Sequence, residues 1–229
     1  MRISIIIPVR HEAALIVAAL ECLQHYRKAG HQLILVDGGS QDATVSLASP
    51  LVDRLLVCAP GRARQMNRGA QQATGDWLLF LHADSQLPDR MDQLIEGHLR
   101  GESVWGRFDV RLSGSHWMLR IVEKMINLRS RWSGIATGDQ ALFVRRETFE
   151  ELGGFADIAL MEDIELSRRL KRIAAPVCIR KTLMTSSRRW EERGILRTII
   201  QMWWLRVLYF GGVTPDRLVK IYYAERRRG

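Results

Sequence analysis

Trp77-Leu78-Leu79-Phe80-Leu81-His82-Ala83-Asp84 sets five consecutive apolar residues before a carboxylate that ends them. An apolar run this short, with no polar alternation, reads as a strand covered on both faces, as in a parallel sheet. Ligand sites in open α/β sheets form beyond the carboxyl ends of the strands, and Asp84 stands where a cation could be held. The tripeptide His82-Ala83-Asp84 is not decisive alone, because Asp is also a common turn residue.

Outward from that strand, Ile3–Val9 reads as a buried strand and 12–28 as a helix. Gln32–Asp37 reads as a second strand before a Gly-Gly-Ser turn, with a short helix over 42–48. A third strand is expected over 53–58, a helix over 62–73 and the fourth strand over 76–81. Strands separated by helical crossovers imply an α/β fold with a largely parallel sheet flanked by helices. The second half changes character. It has an extended segment over 104–112, a helix over 116–129, a strand over 141–145, and a helical stretch over 147–152 before Gly153-Gly154. A helix over 162–173 and a short strand over 177–179 follow. From Glu191 the chain reads as helical, with a break at Gly211-Gly212 and Pro215 placed to start the final helix.

Composition narrows the classes. With 229 residues and 47% hydrophobic content, the chain suits one large α/β domain with or without a helical appendage. The net charge of +9 rests largely on arginine, with clusters at Arg145-Arg146, Arg168-Arg169, Arg188-Arg189 and Arg226-Arg227-Arg228. A solvated basic face, an anionic lipid surface and a nucleotide diphosphate all remain open. Nucleic acid is disfavoured, since no helix-turn-helix, RNA-binding or zinc-finger pattern is present. Cys22, Cys58 and Cys178 form no C-x-x-C pair, so neither a disulfide framework nor a zinc site is indicated and a reducing cytoplasm is expected. The apolar run of the first strand is too short for a secretion signal. The stretch Ile195–Phe210 is interrupted by Arg197, Gln201 and Arg206 and falls short of a spanning helix.

A dinucleotide-binding fold fails, because the first strand runs into Pro8-Val9-Arg10-His11-Glu12 with no G-x-G-x-x-G. A Walker A loop is likewise missing. The ordered motifs instead resemble a family 2 glycosyltransferase of GT-A fold. The resemblance covers about 3–190 and rests on Ser4 to Glu12, on Ile34-Leu35-Val36-Asp37-Gly38-Gly39-Ser40-Gln41-Asp42, and on Gly61 to Gly69 with Gly75-Asp76. It rests further on His82-Ala83-Asp84 and on Gly153-Gly154-Phe155 followed by Glu162-Asp163. Within that family the chain is most similar to small bacterial members with a His-Ala-Asp strand end and a later Ser-Arg-Arg-Trp motif.

The resemblance implies a role for each candidate residue, beside a plainer one. Asp37 would contact the nucleotide, or cap its own turn. Pro8, Arg10 and Glu12 would line the nucleotide pocket, though the two charges equally suit a helix start and a surface. Arg62, Arg64 and Gln65, opening a helix after Pro60-Gly61, would face the diphosphate or solvent. Asp84 is the metal candidate, with Mn²⁺ or Mg²⁺ expected. His82 departs from the Asp usual there. It is either a second metal ligand or a hydrogen-bond partner of donor ribose or phosphate, because imidazole suits softer cations than Mg²⁺. Asp163 is the expected catalytic base, with Glu162 second, against plain helix N-terminal charge. Asp139 would line the acceptor side or serve a turn. Arg188-Arg189-Trp190 partly resembles Q-x-x-R-W, so Arg189 would touch the diphosphate and Trp190 a sugar face, or both lie in a basic surface loop.

The expected protein is therefore a metal-assisted, inverting glycosyltransferase that uses a nucleotide-diphosphate sugar. Its rivals are a nucleotidylyltransferase and a non-catalytic nucleotide-sugar-binding protein of the same fold. The expected organisation is a catalytic domain over 1–190 and a helical extension over 191–229. Trp203, Trp204, Arg206, Tyr209 and Phe210 of that extension suit the inner face of the cell membrane and a lipid-linked acceptor. Packing on the domain, or on a second subunit in a homodimer, would use the same residues.

Overall fold

A computed structural model describes residues 1–224, so the Arg226-Arg227-Arg228 cluster lies outside the described residues. Eight strands build one curled sheet: β1 (Ile3–Val9), β2 (Gln32–Asp37), β3 (Arg54–Val57), β4 (Trp77–Phe80), β5 (Ser85–Gln86), β6 (Trp105–Leu112), β7 (Phe143–Arg145) and β8 (Val177–Thr185). Their order is β3-β2-β1-β4-β7-β6-β8-β5. The first four pair in parallel, and β6 with β8 is parallel as well. Antiparallel pairing enters only around β7 and at the β5 edge.

Alternation along β1 divides the interior into two layers, since successive side chains leave a strand on opposite faces. Ile3, Ile5 and Ile7 enter one core with residues of α1 (Ile16–Glu21), α2 (Gln24–Lys28) and α5 (Met91–His98). Ile6 enters the other, beside Ile34, Val36 and residues of α4 (Arg62–Ala70) and α8 (Glu162–Leu170). Gly69 permits the close seating of α4, because a Cβ there would lie 2.5 Å from Ile6 Cγ2.

Three expectations change in detail. The helix expected over 12–28 is two, and it starts late. The Glu12 and Ala13 N–H groups go to Thr44 Oγ1 (2.9 Å) and Asp42 Oδ2 (3.3 Å), which ties this stretch to the turn after β2. The strand expected over 177–179 runs to Thr185, where exposed Arg180, Lys181 and Thr182 hide the apolar pattern. The two-residue β5 and helix α5 follow β4 without a sequence signal.

The remaining helices are α3 (Thr44–Ala48), α6 (Trp117–Ser133), α7 (Arg146–Glu151), α9 (Arg188–Arg193), α10 (Ile195–Phe210) and α11 (Pro215–Ala224). α6 lies on β6 through Leu119, Val122 and Ile126. α10 touches α6, α9 and α11, and Leu205 and Leu218 are fully enclosed.

Candidate active site

The strands β1, β2 and β4 deliver Pro8, Asp37 and His82-Ala83-Asp84 to one edge of the sheet. The turns leaving β1 and β2 are bonded to each other: His11 N–H donates to Ser40 Oγ (2.8 Å), and Gly38 N–H to the Val9 carbonyl (2.9 Å). Asp37 is buried and serves its own turn. Its Oδ2 accepts from the Gly39 and Ser40 N–H groups (2.9 and 2.8 Å), and its Oδ1 from the Ser40 hydroxyl. Gln65 is buried too, and its amide donates to the carbonyls of Val9 and Val36, both at 2.8 Å. It joins the ends of β1 and β2.

Across the edge, a 3₁₀ turn over Gly138–Gln140 meets the start of α8. The Gly138 N–H donates to Asp163 Oδ2 at 2.7 Å, and Ile164 N–H to Oδ1 at 2.7 Å. A Cβ on Gly138 would lie 2.7 Å from His82 Nε2 and 3.7 Å from Asp163 Oδ2, so this glycine links imidazole and carboxylate. The loop leading to Glu162 is pinned to α4 by Asn67, which donates to the Phe155 carbonyl (2.8 Å) and accepts its N–H (2.9 Å). The Phe155 ring meets Phe80 edge-on at 4.8 Å. Pro8, Arg62, His82, Gly138, Glu162 and Asp163 line one cleft.

Electrostatics make Arg62 the hub of that cleft. Burial holds His82 well below the ordinary imidazole range, and Arg62 adds to the effect, so the ring is neutral. Burial raises the Asp84 carboxyl, with Arg62 and then Arg188 opposing. Burial raises Glu162 to about 7, reinforced by Asp163 and opposed by Arg62. Asp163 is raised by burial as well, against its two backbone hydrogen bonds and Arg62. Glu12 is raised by burial first, then pulled down by Arg188 and up by Asp84.

Arg188, exposed at the start of α9, lies in the field of Glu12 and Asp84 and 3.9 Å from Glu192. Arg189 turns to the C-terminal helices, with its guanidinium 4.7 Å from the centre of the Tyr222 ring. Trp190 packs on the cluster that joins β6 and α6. Arg10 is exposed at the end of β1. Asp139 flanks Asp163, and Arg129 of α6 lies in the field of both. Arg188 stood inside the Arg188-Arg189-Trp190 motif but without a role of its own, and Gly138 and Arg129 carried no motif signal. Of these two, Gly138 was findable, as the glycine beside Asp139.

Among the described residues no three His, Cys, Asp or Glu side chains gather as metal ligands. The chain offers the Asp84 carboxylate at the sheet edge and a neutral His82 whose Nε2 abuts Gly138. Asp84 fits a hard divalent ion that takes its other oxygens from a bound anion and water.

Comparisons with known proteins agree with this fold. A glycosyltransferase of PGL/p-HBAD biosynthesis from Mycobacterium tuberculosis is 32% identical over 165 residues, covering 66% of this chain and 62% of that protein. The undecaprenyl-phosphate 4-deoxy-4-formamido-L-arabinose transferase of Pseudomonas aeruginosa is 28% identical over 158 residues, covering 62% and 46%. The chain therefore spans under two thirds of the length of these relatives. The mannosyltransferase PcManGT from Pyrobaculum calidifontis, solved with GDP-Man and Mn²⁺, superposes with a TM-score of 0.60 at 21% identity, covering 80% of this chain and 56% of that one. TarS of Staphylococcus aureus with UDP-GlcNAc gives 0.63 at 17% identity, covering 81% and 58%. These neighbours share the GT-A fold. Residues 4–153, the segment that carries Asp37, Arg62, His82, Asp84 and Asp139, match the model of glycosyl transferase family 2, and the chain belongs to that family.

Proposed function

We propose that this protein transfers a glycosyl group from a nucleotide-diphosphate sugar to an acceptor hydroxyl, with inversion at the anomeric carbon. One observation supports the reading above all: Arg62, His82 and the acids Glu162 and Asp163 meet in one cleft at the carboxyl edge of β1 and β4. We read 1–190 as the catalytic unit and 191–229 as a helical extension of it. Structural neighbours solved with GDP-Man and UDP-GlcNAc favour a nucleotide-sugar donor.

In this reading Arg62, at the N-terminus of α4, and Arg188 attract the donor diphosphate. Asp84 would hold a divalent ion, whose chemistry when bound would be to stabilise negative charge on a nucleoside diphosphate. Asp163 takes the proton from the acceptor hydroxyl as that oxygen attacks. Its two backbone hydrogen bonds fix the carboxylate, and burial raises it above the ordinary range. His82, neutral and lodged against Gly138, spaces the donor wall from the base.

The donor half is tested by thermal shift. UDP, GDP, ADP or dTDP with Mn²⁺ should raise the melting temperature, and Asp84→Ala should abolish the rise. No shift with any of the four would remove the donor site.

A further inference from the structure

The outward faces of α6 and α10 reverse the usual order of a surface helix. On α6, Trp117, Ile121, Met125, Leu128 and Trp132 recur every three or four residues and so share one side. All five are exposed, Trp117 to 66% and Trp132 to 82%. On α10 the buried positions are Thr198, Gln201 and Leu205, while Leu196, Ile200, Trp203, Val207 and Phe210 face outward. A helix that buries threonine and glutamine and exposes tryptophan is inside-out for water. Met125 of α6 and Ile199, Trp203, Trp204 and Val207 of α10 line one shallow groove, which joins the two stripes into a continuous face. Single exposed apolar residues mean little, whereas a contiguous face of this kind marks an interaction surface.

Charge selects the occupant. Helices α6, α10 and α11 carry eight Arg and Lys residues, four, two and two respectively, against Glu123 and Asp216, although Arg131 is paired with Asp109 and Arg129 turns inward to Thr137. Glu123 is itself buried and lies 3.1 Å from Arg120. Two copies meeting through this face would set one cationic rim against another, an arrangement that repels. An anionic headgroup layer attracts the same rim. Exposed Lys124, Arg197, Arg217 and Lys220 can extend past the apolar stripe to reach it. Tryptophan and leucine on one face with arginine and lysine beside them is the composition of helices that lie in the bilayer interface. At 16 residues α10 is about 24 Å long, too short for the hydrocarbon core. No helix among the described residues is long and apolar enough to cross.

We propose that the joined α6–α10 face seats this protein on an anionic lipid surface, with both helices lying in the plane of the headgroups. The same helices reach the acceptor wall: Arg129 of α6 donates to Thr137 Oγ1 at 3.3 Å, one residue before Gly138. Resting on the transferase reading, the acceptor then enters from the lipid side.

Co-sedimentation of the full chain with phosphatidylcholine vesicles, with and without phosphatidylglycerol, tests the docking. Binding is expected to the phosphatidylglycerol vesicles alone, to weaken with added salt, and to shift tryptophan emission to the blue. Trp203→Ser with Trp204→Ser, both solvent-facing, should lower the vesicle partition about tenfold or more. The nucleotide-dependent thermal shift should survive in that variant and report that it is folded. A wild-type chain that stays in the supernatant with phosphatidylglycerol vesicles overturns the proposal. So does a wild-type dimer, seen by light scattering, that the double variant converts to a monomer. A wild-type chain that shows the nucleotide shift but no docking refutes the surface alone, whereas a wild-type chain that docks without any nucleotide shift refutes the donor site alone.

Discussion

The two walls of the cleft are held in opposite ways. On the donor wall, Asp37 and Gln65 give their polar atoms to backbone groups of the turns that carry them. On the acceptor wall, Glu162 and Asp163 are adjacent acids buried beside each other, and both carboxyls are raised. The donor wall is a frame whose hydrogen bonds are complete before any ligand arrives. The acceptor wall keeps two acids in a costly place, and in the proposed reaction that cost would serve a carboxylate acting as base.

Removing the base should break this contrast most severely. Asp163→Asn keeps the shape and an oxygen for one backbone N–H but cannot take a proton. Transfer should fall about a thousandfold, while the nucleotide-dependent thermal shift stays as in the wild type. Activity within tenfold of wild type would remove Asp163 as base. Loss of the nucleotide shift would instead assign it to the donor wall.

Glu162→Gln sharpens the contrast through stability. The ordinary carboxyl value is 4.5, and the folded protein holds Glu162 near 7. Between those values the folded chain keeps a proton that the unfolded chain has released, so stability falls as pH rises through the window. The loss is absent below about 4.5 and complete above about 7. At pH 8 the variant should therefore exceed the wild type by about 3 kcal/mol, and at pH 4 the two should coincide. Identical unfolding curves at pH 8 would show that Glu162 carries no such burden.

The donor wall was legible because local rules made it. Ile3–Val9, Gln32–Asp37 and the run ending at Asp84 are apolar strands closed by turn residues, and each appears where the pattern put it. The acceptor wall depends on contacts between segments far apart in the chain. Gly138 matters through His82 and Asp163, and Asn67 matters through Phe155. Such pairings leave no mark on local periodicity. Arg188 and Arg189 part for the same reason, since adjacent residues on a helix diverge by about 100°. Only tertiary packing sets Arg189 against Tyr222 and leaves Arg188 exposed. On α10 the aromatic positions were evident in the sequence, but not that Thr198 and Gln201 would be the buried ones.

The smallest expected effect tests the frame itself. The sequence offered Gln65 as a donor contact, whereas its amide bridges the Val9 and Val36 carbonyls at the ends of β1 and β2. Gln65→Leu would remove the buried amide donor from the Val36 carbonyl and leave the Val9 carbonyl with the Gly38 N–H alone, at a cost of about 2 kcal/mol in unfolding free energy. That loss should be the same across the pH range where Glu162→Gln varies, because no proton is involved. The donor KM should rise only a few-fold, through looser strand ends. If stability were instead unchanged and KM rose more than tenfold, the Gln65 amide would be a ligand contact. The donor wall would then hold its substrate by the same incomplete bonding that distinguishes the acceptor wall.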